Sequence, residues 1–302
     1  MNKIHTSTSR STNTAGRATT ATTPKATRRN AGAAAPSSAI KRIYSISRAE
    51  VLLFVRNPTI LLTALLLPVV MVAMLAPTLG SVMEGAAFGS FIVQTLAVWA
   101  LLLIVYVNLT TIFVSRREDG VFQRMSTGEA SPWEGMIAAS VPSVVVTLVQ
   151  VTLGVVGTLV LVEGTVVNPL LILAAVLGAS VFLGGVSAWT SRYTSTVEGA
   201  QFSTMPVLMV LLFTSGSLIP VSVLPEMLAQ LSEWTPFYAV NELIGIGMTG
   251  AGGAGIDAVA TQVTGSFLDS WVTAAQPLAA LAIWAVLGVE IARRTMRFAP
   301  RR

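Results

Sequence analysis

Three stretches of this chain, residues 57–115, 125–191 and 193–292, contain neither lysine nor arginine. An ordinary soluble domain carries about 25% charged residues; here the figure is 11%, against 53% hydrophobic. About twenty apolar residues in a helix cross a hydrocarbon core of about 30 Å, and inside it every backbone polar group must be satisfied within the fold. The expectation is an all-α integral membrane protein. The 19 basic residues fall in four clusters: ten within residues 1–57, then Arg116, Arg117 and Arg124, then Arg192 alone, then Arg293, Arg294, Arg297, Arg301 and Arg302. Cytoplasmic loops collect Lys and Arg, so all four clusters are expected on the cytoplasmic side, with both termini inside. The net charge of +5 then reports topology and attraction to anionic lipid rather than binding to nucleic acid.

Residues 1–39 are rich in Ser, Thr, Ala and Arg and lack any acidic residue, a composition that buries no core and reads as a disordered basic tail. The same bias fits an organellar transit peptide. Residues 40–56, "IKRIYSISRAEVLLFVR", set Ile40, Ile43, Tyr44, Val51, Phe54 and Val55 near helical spacing, with Lys41, Arg42, Ser45 and Arg48 on another side. This predicts an amphipathic helix on the cytoplasmic leaflet, or simply the start of the first span. Asn57-Pro58 then turns the chain.

Six spans are expected, at about 59–79 (kinked at Pro68), 89–114, 136–160 and 168–189, a fifth from about residue 202, and a sixth at about 277–292. The fifth is broken: the apolar pattern fails at Ser215-Gly216-Ser217, and Pro220 and Pro225 follow. A surface helix is expected near 224–234, and "MTGAGGAGIDAVATQ" (248–262) reads as a flexible outer loop. Trp133, Trp189, Trp234 and Trp271 fall at predicted interfaces, while Trp99 and Trp284 read as packing residues.

The chain has no cysteine and a single histidine, His5, which excludes disulfides and thiolate metal sites and leaves no histidine for a triad. A phosphate-binding P-loop needs Gly-Lys before Ser or Thr, and none of Lys3, Lys25 and Lys41 follows glycine. Gradient-driven transporters keep ionisable groups at membrane depth. Here Glu84, Glu163, Glu226 and Glu233 sit near outer boundaries and Glu290 beside arginines, so the spans offer a path or surface without a visible energy source. Gln94, Asn108, Thr110, Thr111, Gln150 and Ser215 are candidate path-lining groups, and helix–helix hydrogen bonding is the competing reading for each.

The segment "SRREDGVFQRMSTGEASPWEG" (115–135) is a charged elbow between two apolar runs. Val121, Phe122 and Met125 form a small apolar face beside Arg117, Glu118, Asp119 and Arg124. The residues alone allow a helix that docks in a partner's groove or a solvated turn carrying positive-inside arginines.

Four stretches together resemble the membrane subunit of type-2 ATP-binding-cassette (ABC) transporters across residues 40–298. They are "RNP" at Arg56–Pro58, "REDGVFQRMSTGEASP", "LGGVSAWTSRYTSTVEGAQFSTM" and "SGSLIPVSVLPEMLAQLSEWTPFYAVNEL". Where family members often carry Thr-Pro-Leu after the elbow helix, this chain has Gly128-Glu129-Ala130-Ser131-Pro132. The resemblance implies one six-span domain over 40–298, closed by a short cytoplasmic tail at 299–302, with an amphipathic connecting helix, a cytoplasmic coupling helix and a broken fifth helix with an outer re-entrant segment. Arg117, Glu118, Gly120, Phe122, Arg124 and Met125 would then contact a separate ATPase subunit, and Arg48, Glu50 and Arg56 belong to the connecting helix. Gln94, Asn108, Thr111 and Ser215 would face a path shared with a second permease copy or a paralogue. No cofactor is expected on this chain, since ATP-Mg would be held by the partner. The expected activity is export of a hydrophobic or amphiphilic compound (a drug, antibiotic, lipid-like molecule or polymer precursor) across the plasma membrane. An ion-gradient transporter and a non-transporting scaffold are the alternatives, distinguished by uncoupler sensitivity and by ATP-dependent flux.

Overall fold

The computed structural model describes residues 36–56, 85–121, 131–162, 164–217, 219, 221–255 and 265–295, with isolated positions 58, 62, 66, 70, 73, 74 and 77. The first expected span (59–79, those positions apart), the tail 1–35, the end of the elbow (122–130), residues 256–264 and the C-terminus from 296 lie outside them. Every regular element among the described residues is a helix.

Helix α1 runs Pro36–Val55, four residues ahead of its expected start. A continuous rod follows, built from α2 (Gly85–Ala100), a π-helical stretch (Leu101–Val107) and α3 (Asn108–Glu118). Then come α4 (Pro132–Leu161), α5 (Pro169–Tyr193), α6 (Val197–Phe213), α7 (Glu226–Glu233), α8 (Pro236–Thr249), α9 (Phe267–Thr273) and α10 (Ala275–Thr295). Among the described residues, four helical runs are long and apolar enough to cross a membrane: Gly85–Glu118, Trp133–Leu161, Pro169–Tyr193 and Ala275–Thr295. They fall on the expected second, third, fourth and sixth spans.

The helix starts follow local chemistry. Ser131 precedes Pro132 and accepts from the Glu134 amide at 3.2 Å; Asn168 precedes Pro169 and accepts from the Leu170 amide at 3.1 Å. Proline at the first helical position has no amide to lose, and the capping side chain satisfies one that would otherwise be orphaned. Asn168 also donates to Ser270 Oγ at 2.9 Å, which ties the start of α5 to α9.

The core is organised around α5. Its glycines admit α10 at close range: a Cβ on Gly185 would lie 2.0 Å from Gly288 O, and one on Gly288 would lie 2.7 Å from Phe182 Cα. Small residues permit this approach where helices lack a hydrophobic drive to associate. Phe182 meets Trp284 edge-on at 5.4 Å, so Trp284 is a packing residue, as expected. The π-helical stretch is buried, and the Tyr106 carbonyl accepts from Ser187 Oγ (3.1 Å) and Thr110 Oγ1 (2.8 Å).

Beyond α6 the chain departs from its simplest reading. α6 has 17 residues, about 25 Å, and stops where the apolar pattern fails, with Gly216 at φ +77°. α7 has no buried residue and is the expected surface helix. α8 was not foreseen as a core element: nearly all its residues are buried, and it packs among α2, α5 and α10.

The glycine-rich segment is also unlike a flexible loop over its described part. Gln94 of α2 donates to Gly253 O (3.1 Å) and accepts from Gly255 N (2.6 Å), and Glu242 of α8 accepts from Gly253 N (3.0 Å). Gly255 has φ +61°, and a Cβ there would lie 2.2 Å from Gly216 O. Close backbone approach, rather than flexibility, explains this glycine.

Candidate functional site

The arginine-bearing end of the bundle gathers the end of α3, the start of α4, α1 and the α5–α6 link. α3 ends at Glu118, Asp119 caps it, and Gly120 follows at φ +65° with nothing within 4 Å of a Cβ built on it. A left-handed residue just past the cap is a common helix stop. Glycine is therefore needed for its conformation, and space does not demand it. Asp119 N bonds Ser115 O at 2.9 Å and Gly120 N bonds Arg117 O at 3.2 Å, closing the last turn.

The residues expected to dock separate here by exposure. Glu118 is exposed. Arg117 is only 5% exposed, and its guanidinium donates to the backbone carbonyls of Ser191, at 2.5 Å, and Thr194. The last carbonyls of a helix lack intrahelical donors and carry the negative end of its dipole, so a cation there is favourable. Arg117 thus fastens the end of α3 to the end of α5. Its guanidinium faces inward, which makes it a mount for the elbow; the expectation of a partner-facing side chain does not match this burial. Thr194 Oγ1 and Ser203 Oγ, 2.6 Å apart, carry the connection to α6. Phe122, Arg124 and Met125 lie outside the described residues.

The connecting helix packs on α4 and is tied to it by a bidentate contact. Arg42 Nε donates to Glu134 Oε2 at 2.9 Å and Nη2 to Oε1 at 2.8 Å, in the parallel-fork geometry that favours arginine over lysine. The helical spacing sets Arg42 on a different side of α1 from Ile40 and Tyr44. That side faces α4 at Glu134, while Ile40 and Tyr44 point outward at 68% and 70% exposure. Arg48 and Arg56 are exposed; the side chain of Glu50 is outside the described set. Sequence reading missed Glu134, Ser191 and Thr194. The available signal for Glu134 was its position three residues after Ser131, the spacing of a capping box.

The candidate path-lining groups are engaged within the bundle. Asn108 donates to Ser143 Oγ (3.1 Å), Thr111 to Val107 O (3.0 Å), Thr110 to Tyr106 O (2.8 Å) and Ser215 to Leu212 O (2.6 Å), while Gln94 holds the glycine-rich segment. Gln150 is buried. The helix–helix and within-helix reading therefore accounts for these hydrogen bonds. No group of three His, Cys, Asp or Glu side chains arranged to hold a metal occurs among the described residues.

A family model described as ABC-2 type transporter matches residues 41–248. No curated protein matches the chain.

Proposed function

The chain belongs to the ABC-2 type transporter family, a permease subunit of an ABC transporter, and from that premise we propose that it exports a hydrophobic or amphiphilic compound with a separate ATPase docked at its elbow. The observation that carries this reading is the division of labour at the end of α3. Arg117 is buried against α5 while Glu118, one residue on, is exposed with no hydrogen-bond or ion-pair partner among the described residues. An elbow fastened at Arg117, with an exposed carboxylate beside it, suits transmission of force from a soluble partner into the bundle.

In this reading the chain has six spans, with 59–79 as the first and an α6 interrupted before α7 and α8 as the fifth, and the arginine-rich ends face the cytoplasm across the plasma membrane. Two copies, or one copy and a paralogue, enclose the path, and ATP-Mg is bound and hydrolysed on the partner. Glu118, Gly120, Phe122, Arg124 and Met125 form the docking face, Arg48, Glu50 and Arg56 flank it on the connecting helix, and Arg117 holds it in position. The engagement of Gln94, Asn108, Thr111 and Ser215 in hydrogen bonds favours an apolar path and weighs against gradient-driven proton transfer through these groups.

The test is purification of the tagged chain from its own membrane. A P-loop ATPase should co-elute, and its ATP hydrolysis should be uncoupled when Glu118, Gly120 and Phe122 are replaced together. Unchanged co-elution and hydrolysis in the triple variant would sink the docking role.

A further inference from the structure

A groove of ≈ 990 Å³ lies between α4, α5 and α10. We propose that it is a binding site for an anionic phospholipid of the arginine-side leaflet, with an acyl chain in the groove and the phosphate at Arg293. The inference rests on the membrane-spanning reading and on no transport activity or ATPase partner.

Dimensions, polarity and charge agree on this occupant. The α4 wall runs from Trp133 to Val145, thirteen residues whose twelve helical steps span about 18 Å. That slightly exceeds half of the roughly 30 Å hydrocarbon core, so the groove reaches to the depth of one leaflet. Its walls are apolar apart from the rim, and its two serines are already bonded: Ser140 Oγ donates to Met136 O at 3.0 Å and Ser180 Oγ to Val176 O at 2.7 Å. A polar solute would find few partners there, whereas a hydrocarbon chain needs none.

The rim supplies the headgroup contact. Arg293 lines the groove near the end of α10. Its neighbour Arg294 is paired with Glu290 at 2.5 Å, but Arg293 is exposed and has no partner among the described residues. Trp133, also lining the groove, stands at the start of α4, as an interfacial indole does. An unpaired guanidinium above an apolar slot complements a phosphate above an acyl chain.

Gly184 provides the probe. It lines the groove, and a Cβ built on it meets nothing within 4 Å, so Gly184→Leu fills the slot without touching the packed face at Gly185. The full chain would be reconstituted in nanodiscs of equal phosphatidylglycerol and phosphatidylcholine, extracted in mild detergent, and its retained lipid measured by native mass spectrometry. The wild type should retain phosphatidylglycerol in preference to phosphatidylcholine. Arg293→Gln should lower that preference about five-fold, the attraction of one arginine for an anionic headgroup. Gly184→Leu should remove the retained lipid at unchanged thermal stability, and Arg294→Gln should leave it unchanged. Retention without headgroup preference, or retention indifferent to both Arg293→Gln and Gly184→Leu, would overturn the proposal. So would efficient cross-linking between Ser180→Cys and a cysteine placed along 59–79, which would seat the chain's own first span in the groove.

Discussion

Gln94 and Arg117 sit on the same helical rod, about 35 Å apart along its axis, and each fastens a neighbouring segment to it. Arg117 does so with charge: two guanidinium bonds to the carbonyls that end α5, beside the Arg42–Glu134 fork that holds α1. Gln94 does so with a neutral amide that takes one donor and one acceptor from the glycine-rich segment, while Gly255 and Gly216 bring two backbones into contact. Both solutions satisfy backbone groups where regular structure stops. The difference follows from the surroundings. Arg117 is buried, and its charge is kept by the two carbonyls it meets, beside the exposed Glu118 and Asp119. Gln94 itself is fully buried, where a full charge would cost far more than an amide, and the charge at this end sits on half-buried Glu242, which accepts from Gly253 N.

The largest expected effect lies at the Gln94 end. Gly255→Val should destabilise the protein by about 4 kcal/mol, the sum of a left-handed penalty and overpacking against Gly216, read as a large drop in the midpoint of thermal unfolding in detergent. Arg117→Met should cost about 3 kcal/mol, since two charge-assisted bonds vanish and the carbonyls of Ser191 and Thr194 lose their donors. Gln94→Leu should cost about 2 kcal/mol through the unpaired Gly253 and Gly255 groups. Arg42→Gln sharpens the comparison at its small end: the fork is partly exposed, so a double-mutant cycle with Glu134→Gln should yield a coupling of about 1 kcal/mol that shrinks in high salt. The Gln94→Leu effect should not respond to salt. An equal salt response at both sites would dissolve that distinction.

The long apolar runs were legible because a membrane-crossing helix must satisfy its backbone internally and carry few charges, and four of them appear within a few residues of the expected bounds. The stop after α6 was legible because Ser215-Gly216-Ser217 interrupts that pattern. The glycine-rich segment was misread because composition reports what a glycine permits, and only a neighbour reveals why it is there; Gly216 supplies that reason for Gly255. The fate of α8 was hidden similarly. "PFYAVNELIGIGM" is short, carries Glu242, and follows a proline turn, so nothing local distinguishes a core helix from a surface one. At the candidate site the elbow was visible as a charge cluster, yet Arg117 and Glu118 are adjacent and both charged, with nothing local to set them apart in burial. Which one faces inward depends on the end of α5, 74 residues away.

The sequence by itself determined the helical membrane class, the positions of the long apolar runs, the charged elbow between two of them, and the absence of a P-loop among its lysines. Each follows from rules that act over a few residues or on composition alone. Tertiary structure decided the burial of α8, the anchoring of Gln94 and Arg117, the inward turn of Arg42, and the groove closed on three sides by α4, α5 and α10. Those outcomes depend on which backbone carbonyl, carboxylate or glycine another helix brings within bonding distance, and no local pattern encodes that pairing.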